Sequence, residues 1–188
     1  MQLLSGIPST RAPQQIIEHH GCSRRVANRI IAGESFMPST NIYDWLGFGI
    51  YFWEYGPHRA FEWAQLYNPK PVAVIEATIT LGCCLNLLDT EHFIGMQHSY
   101  TVTRVGLQEA GLPVPENAYP LHHLDCLIVD GYCLDYSMSV DMEIQTVRGC
   151  FPEGEPLFPD SKILSQTHAQ IAVRDASCIS NLKMLTFS

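Results

Sequence analysis

Near the start of this sequence, His20 closes the run Gln15-Ile16-Ile17-Glu18-His19-His20 and is followed by Gly21 and Cys22. An imidazole titrates near neutral pH and can take up or release a proton there. A glycine beside it lets backbone approach a ligand closely. Further along, Tyr51 lies in Gly47-Phe48-Gly49-Ile50-Tyr51-Phe52. Near the other end, His168 and Gln170 are spaced to share one face of a strand. Glu153 and Glu155 come just before them in a loop rich in proline and glycine. His168 has the chemistry of a general base. The two glutamates can supply negative charge, and Gln170 offers a carboxylate's hydrogen-bonding geometry without its charge.

The elements that must position these residues read as a mixture of strands and helices. Residues 15–20 form a short strand, and Gly21-Cys22 is expected to turn the chain. Ser23 is a good N-cap for a helix from Arg24 to Ala32, with Val26, Ala27, Ile30 and Ile31 as its buried stripe and Gly33 at the C-cap position. Residues 34–47 have loop composition. A strand at residues 49–53 leads to a helix opened by Pro57 and running to about Tyr67, where Asn68-Pro69 ends it. Residues 71–80 are the clearest strand, β-branched and nearly all apolar. Residues 89–111 are helical in pattern, in one piece or two. Residues 112–120 connect. Residues 121–136 fit a helix better than a strand. Residues 142–151 and a last strand at 168–173 complete the list. Strict βαβ alternation is lacking, which favours an α+β fold over a doubly wound parallel sheet.

With 188 residues, 46% of them hydrophobic and 16% charged, the chain suits one compact domain, residues 15–188, after a leader at 1–14. A net charge of −8 argues against a broad basic face for nucleic acid. Its seven cysteines form no Cys-x-x-Cys pair, so no metal is expected. No segment approaches the roughly 20 apolar residues of a membrane span, and no signal peptide is evident, so the expected location is cytoplasmic. No phosphate-binding Gly-x-Gly-x-x-Gly turn or Walker motif occurs; Gly47-Phe48-Gly49 opens a strand, the wrong context for one.

Three segments together resemble the ADP-ribosyltransferase superfamily, in its diphtheria-toxin-like and PARP-like branch. That branch carries a His-Gly-Ser/Thr element on its first core strand, matched by His20-Gly21-Cys22. It carries a Gly-x-Gly-Ile-Tyr-Phe-like strand followed by a helix, matched by residues 47–52 and the helix from Pro57. It carries a Glu on a late strand, where this chain has Gln170 in Gln170-Ile171-Ala172-Val173. The likeness spans most of residues 16–185, with nothing nameable between 85 and 141.

The resemblance implies a split antiparallel β-sheet core with flanking helices, NAD as co-substrate, and transfer of ADP-ribose to a protein or nucleic acid acceptor. It implies that His20 holds the adenosine ribose, that backbone groups of Gly21 meet the nicotinamide amide with Cys22 beside them in the cofactor site, and that Tyr51 packs on the nicotinamide ring. Trp63, or else Trp53, would close the ring slot, with Trp63 equally readable as core. Ser39, Thr40 and Asn41 would donate to the pyrophosphate, and Arg59 would add charge or simply be solvated. Gln170 in place of Glu leaves three readings open: a single ADP-ribose transferred with Gln170 as ribose anchor, charge supplied by Glu153 or Glu155, or a domain that binds NAD or a partner without catalysis. His168 would be a general base on the acceptor, or a partly exposed strand histidine. An RNA 2′-phosphotransferase ranks last, for want of arginines. By fold-level analogy, a domain of this size suits a toxin or defence effector, or an enzyme held by a regulatory or antitoxin partner.

Overall fold

The computed structural model describes residues 14–187. The expected leader, Gln14 apart, lies outside the described residues. The elements run β1 (Gln15–Ser23), α1 (Arg24–Ile31), β2 (Ile50–Glu54), α2 (Pro57–Tyr67), β3 (Val72–Thr80), β4 (Cys84–Asn86), α3 (Phe93–Glu109), β5 (Asn117–Ala118), β6 (Leu121–His122), α4 (His123–Val140), β7 (Thr146–Phe151), β8 (His168–Val173) and β9 (Ile179–Leu185). A seven-stranded sheet has the order β4-β7-β8-β2-β1-β3-β9, and β5 with β6 makes a small ribbon. Only β4–β7 is parallel among the paired strands. This is a mixed α/β architecture compatible with the α+β expectation. Among the described residues, no helix is long and apolar enough to cross a membrane.

Several expectations are corrected. Gly21-Cys22 does not turn the chain; β1 runs through both and pairs with β3 from Gln15 to Ser23. The glycine serves packing instead, because a Cβ on Gly21 would lie 2.0 Å from the Ala60 carbonyl oxygen of α2. Helix α1 starts where Ser23 predicts, its side chain accepting from the Val26 amide at 3.3 Å. Only Ala27 and Ile30 of its expected stripe are buried; Val26 and Ile31 are exposed. The strand at 168–173 is not the last, since β9 follows it and adds an edge beside β3. The strand read over 142–151 begins only at Thr146.

Alternation along the strands makes two cores. One face joins Ile16, Phe52, Ile75 and Ile171 to Ala27 and Ile30 of α1 and to Phe36. The other joins Leu46, Val147 and Ala172 to Val129, Tyr132 and Cys133 of α4, and beside it Trp53 and Val74 pack under Ala60 of α2.

The joint between β1 and β2 is narrow. Their register holds Glu18 opposite Glu54 and His19 opposite Trp53, against a full-length pairing of β1 with β3. Arg148 of β7 grips Glu54 with two hydrogen bonds, of 2.7 and 2.6 Å. Glu18 is fully buried, and neither of its carboxyl oxygens has a partner among the described residues. Burial, reinforced by the Glu54 charge, pushes its pKa up to about 9, so it is an uncharged acid at neutral pH.

Candidate functional site

Strand β1 carries His20 to the point where the β1–β2 pairing stops. There its Nδ1 lies 2.9 Å from the Tyr51 backbone carbonyl. A carbonyl only accepts, so Nδ1 carries the proton. The ring stands edge-on to Phe36, with centroids 5.2 Å apart, and 5.5 Å from Phe52. Burial lowers the His20 pKa, with the bond to Tyr51 opposing it, so the ring is neutral near pH 7.

The Tyr51 side chain points to the opposite face from Phe52 and packs with the α4 core. Its hydroxyl donates to the Gly47 carbonyl at 2.7 Å and accepts from the Leu46 amide at 3.1 Å. Burial, with the Asp44 charge, holds the phenol well above its ordinary pKa. Tyr51 thus pins the end of the loop before β2. His20 and Tyr51 meet through ring and backbone, while their side chains lie on opposite faces of the sheet. Gly21 is covered by α2, and Cys22 is buried with its thiol pushed up to about 11 by desolvation.

Ser39 bridges its backbone to Gly49 and hydrogen-bonds Asp44 through its hydroxyl. Thr40 and Asn41 are exposed; the Asn41 amide donates to the Ser39 hydroxyl at 3.4 Å. Trp63 is 38% exposed and lies against Trp53 and Tyr67, at 5.5 and 5.3 Å between centroids.

A tighter gathering forms where β8 meets α2 and the loop after β7. Arg59 reaches Glu153 Oε2 at 3.4 Å while also binding Glu62 at 2.9 Å. The same Glu153 oxygen lies 3.7 Å from Nδ1 of His168, whose side chain is only 5% exposed. Nδ1 also lies 2.7 Å from the Gln166 carbonyl. That acceptor again places the proton on Nδ1 and leaves Nε2 a bare lone pair, buried and without a partner among the described residues. Burial lowers the His168 pKa, with the Gln166 bond and the Glu153 charge opposing, so the ring is held neutral.

Gln170 is buried opposite Trp53. Trp45 Nε1 donates to its Oε1 at 3.0 Å, which leaves the Gln170 amide nitrogen to donate elsewhere. Trp45 is itself stacked on Phe151, at 3.5 Å between centroids and 12° between planes. Trp53 Nε1 and Arg59 Nε are also buried without partners. Buried polar groups are nearly always satisfied; of these atoms, His168 Nε2 and Arg59 Nε belong to the two residues that contact Glu153. Glu155 does not join them: it is exposed, with its backbone tied to Ser165.

The structure therefore brings together Arg59, Glu153, His168 and Gln170. It adds Trp45, which sequence reading did not assign. No local signal could have found Trp45, because its partner lies 125 residues away. Among the described residues, no group of three or more His, Cys, Asp or Glu is arranged to hold a metal. No family model, curated protein or solved structure is similar enough to the chain to match it.

Proposed function

We propose that the chain is an NAD-dependent mono-ADP-ribosyltransferase on an ADP-ribosyltransferase-like split-sheet fold, modifying a protein or nucleic acid acceptor. The observation that carries this reading is the convergence of Glu153, His168 and Gln170, a carboxylate, a neutral imidazole and an amide donor, on one side of the narrow β1–β2 joint. At that joint His20 replaces backbone pairing with a ring-to-carbonyl bond. The His20 ring lies with Phe36 and Phe52 on the opposite face of the sheet from Gln170, so the reading rests on the Glu153–His168–Gln170 group.

The reaction breaks the nicotinamide–ribose C–N bond, and the electron pair leaves with nicotinamide. Positive charge then builds on the sugar, as in glycoside hydrolysis. Gln170 lacks the charge to oppose it. Glu153 supplies that charge, held by Arg59 and His168. The acceptor bonds to the anomeric carbon, and its proton passes to the lone pair on His168 Nε2.

Incubation with NAD labelled in the adenylate should mark an acceptor in a cell lysate and release nicotinamide. His168→Asn and Glu153→Gln should lose both while keeping the melting temperature. A wild-type protein that neither labels nor releases nicotinamide overturns the enzyme. A second reading, binding of NAD or a partner without turnover, draws on Tyr51 and Gly21, both committed to packing. Saturable NAD binding with no nicotinamide release would select it.

A further inference from the structure

A second concave region lies on the other side of α2. Arg24, Phe61, Gln65, Lys70, Val72, Leu185 and Phe187 are among the residues that line a pocket of about 380 Å³. That volume is within the range of small-ligand sites, which run from about 300 to 1,000 Å³. Its lining shares no residue with the Arg59–Glu153–His168–Gln170 group. Phe61 and Gln65, one helical turn apart, form one wall. The Phe187 ring stacks on Phe61, at 4.5 Å between centroids and 19° between planes, so the wall carries a stacked aromatic pair.

The charge of this pocket runs against that of the chain. The net charge is −8, and Arg29, Arg59, Arg148, Arg174 and Lys183 each lie within 4.0 Å of a carboxylate. Arg24 and Lys70, like Arg25, Arg104 and Lys162, have no such partner among the described residues, and no residue that lines the pocket is acidic. Arg24 is steadied by a 3.1 Å contact from Nη1 to the Met184 sulfur, which leaves most of its guanidinium donors open. Two cations without a carboxylate partner among the described residues, beside an aromatic wall, are complementary to an anion that carries a ring.

We propose that this pocket binds a small anion carried on a flat apolar ring, with Arg24 and Lys70 taking the charged group and Phe61 with Phe187 taking the ring. A phosphate or carboxylate head meets the two cations. The ring stacks on the Phe61–Phe187 surface and covers Val72 and Leu185.

The test is titration of the full chain with phenyl phosphate, followed by amide shifts of Val72, Ala73 and Leu185 in nuclear magnetic resonance spectra. Inorganic phosphate supplies the head alone, phenol the ring alone, and benzoate the ring with a carboxylate. Phenyl phosphate or benzoate should saturate these shifts at least ten-fold more tightly than either part alone. Lys70→Glu and Phe187→Ala should each weaken binding at least ten-fold with the melting temperature unchanged. The proposal is overturned if inorganic phosphate or phenol alone binds as well as the joined molecule, if no ligand shifts these amides, or if both variants bind like wild type. Because none of these residues serves the proposed transfer reaction, the outcome is independent of whether NAD is cleaved.

Discussion

Replacing Glu18 with glutamine isolates the most heavily perturbed acid near the sheet's narrow joint. The ordinary pKa of 4.5 rises to about 9 in the fold, chiefly by burial. Between these values the unfolded chain has released the proton and the folded chain still holds it, so folding stability falls as pH rises. The stabilising effect of proton uptake is complete below about pH 4.5 and is gone once the pH passes about 9. At about 1.4 kcal/mol per unit, roughly 3 kcal/mol is lost between pH 4.5 and pH 7, a large share of a domain's usual 5–15 kcal/mol. Glutamine keeps the shape and neutrality of the protonated acid and removes the titration. Urea unfolding from pH 5 to pH 9 should give similar stabilities for the two proteins at pH 5. By pH 8 the Glu18→Gln variant should be ahead by several kcal/mol. Two parallel pH curves would refute the reasoning and mean that Glu18 ionises in the folded protein without penalty.

Other consequences are equally direct. His168→Asn should lower the rate of the proposed ADP-ribose transfer by about 10²- to 10⁴-fold. In wild type that rate should fall as pH drops through the depressed His168 pKa, below the ordinary 6.5, as measured by nicotinamide release. Trp45→Phe keeps the stack on Phe151 and removes the bond to Gln170; NAD affinity should weaken by about 1 kcal/mol, read by calorimetry, with a small change in melting temperature. Gly21→Ala forces a methyl onto the Ala60 carbonyl and should cost about 1–3 kcal/mol or more of stability, measured by denaturant unfolding.

What the sequence makes legible follows from how local the governing physics is. Ser23 as an N-cap and Pro57 as a helix opener act within one turn, and α1 and α2 start where those residues predict. Strand β3 announces itself by nine residues, mostly apolar and β-branched. Strand β4 has three residues and exists only because β7 runs alongside it. Strand β9 exposes Asn181, Leu182 and Lys183 and so lacks the alternation of a strand with one buried face. Gly21 reads as a turn because glycines usually mark turns, yet here the missing side chain admits a helix.

The candidate site divides the same way. His168, Gln170, Glu153 and Arg59 are recognisable by type, but their convergence depends on distant elements, as does the Trp45 bond that orients Gln170. Residues 85–141, which carry no nameable resemblance but read as helical over 89–111 and 121–136, supply α4, whose Val129, Tyr132 and Cys133 pack the face on which Tyr51 sits.

The two-pair joint between β1 and β2 also bears on how the molecule opens. On one side, β3 and β9 are tied to β1; on the other, β8, β7 and β4 are tied to β2. Backbone hydrogen bonds across the line between these groups are few, and the groups are joined mainly by the apolar core of Ile16, Phe52, Ile75 and Ile171. Native-state hydrogen exchange should sort the strand amides into those two populations. The line dividing them would run between His20 and Tyr51, whose ring-to-carbonyl bond crosses it.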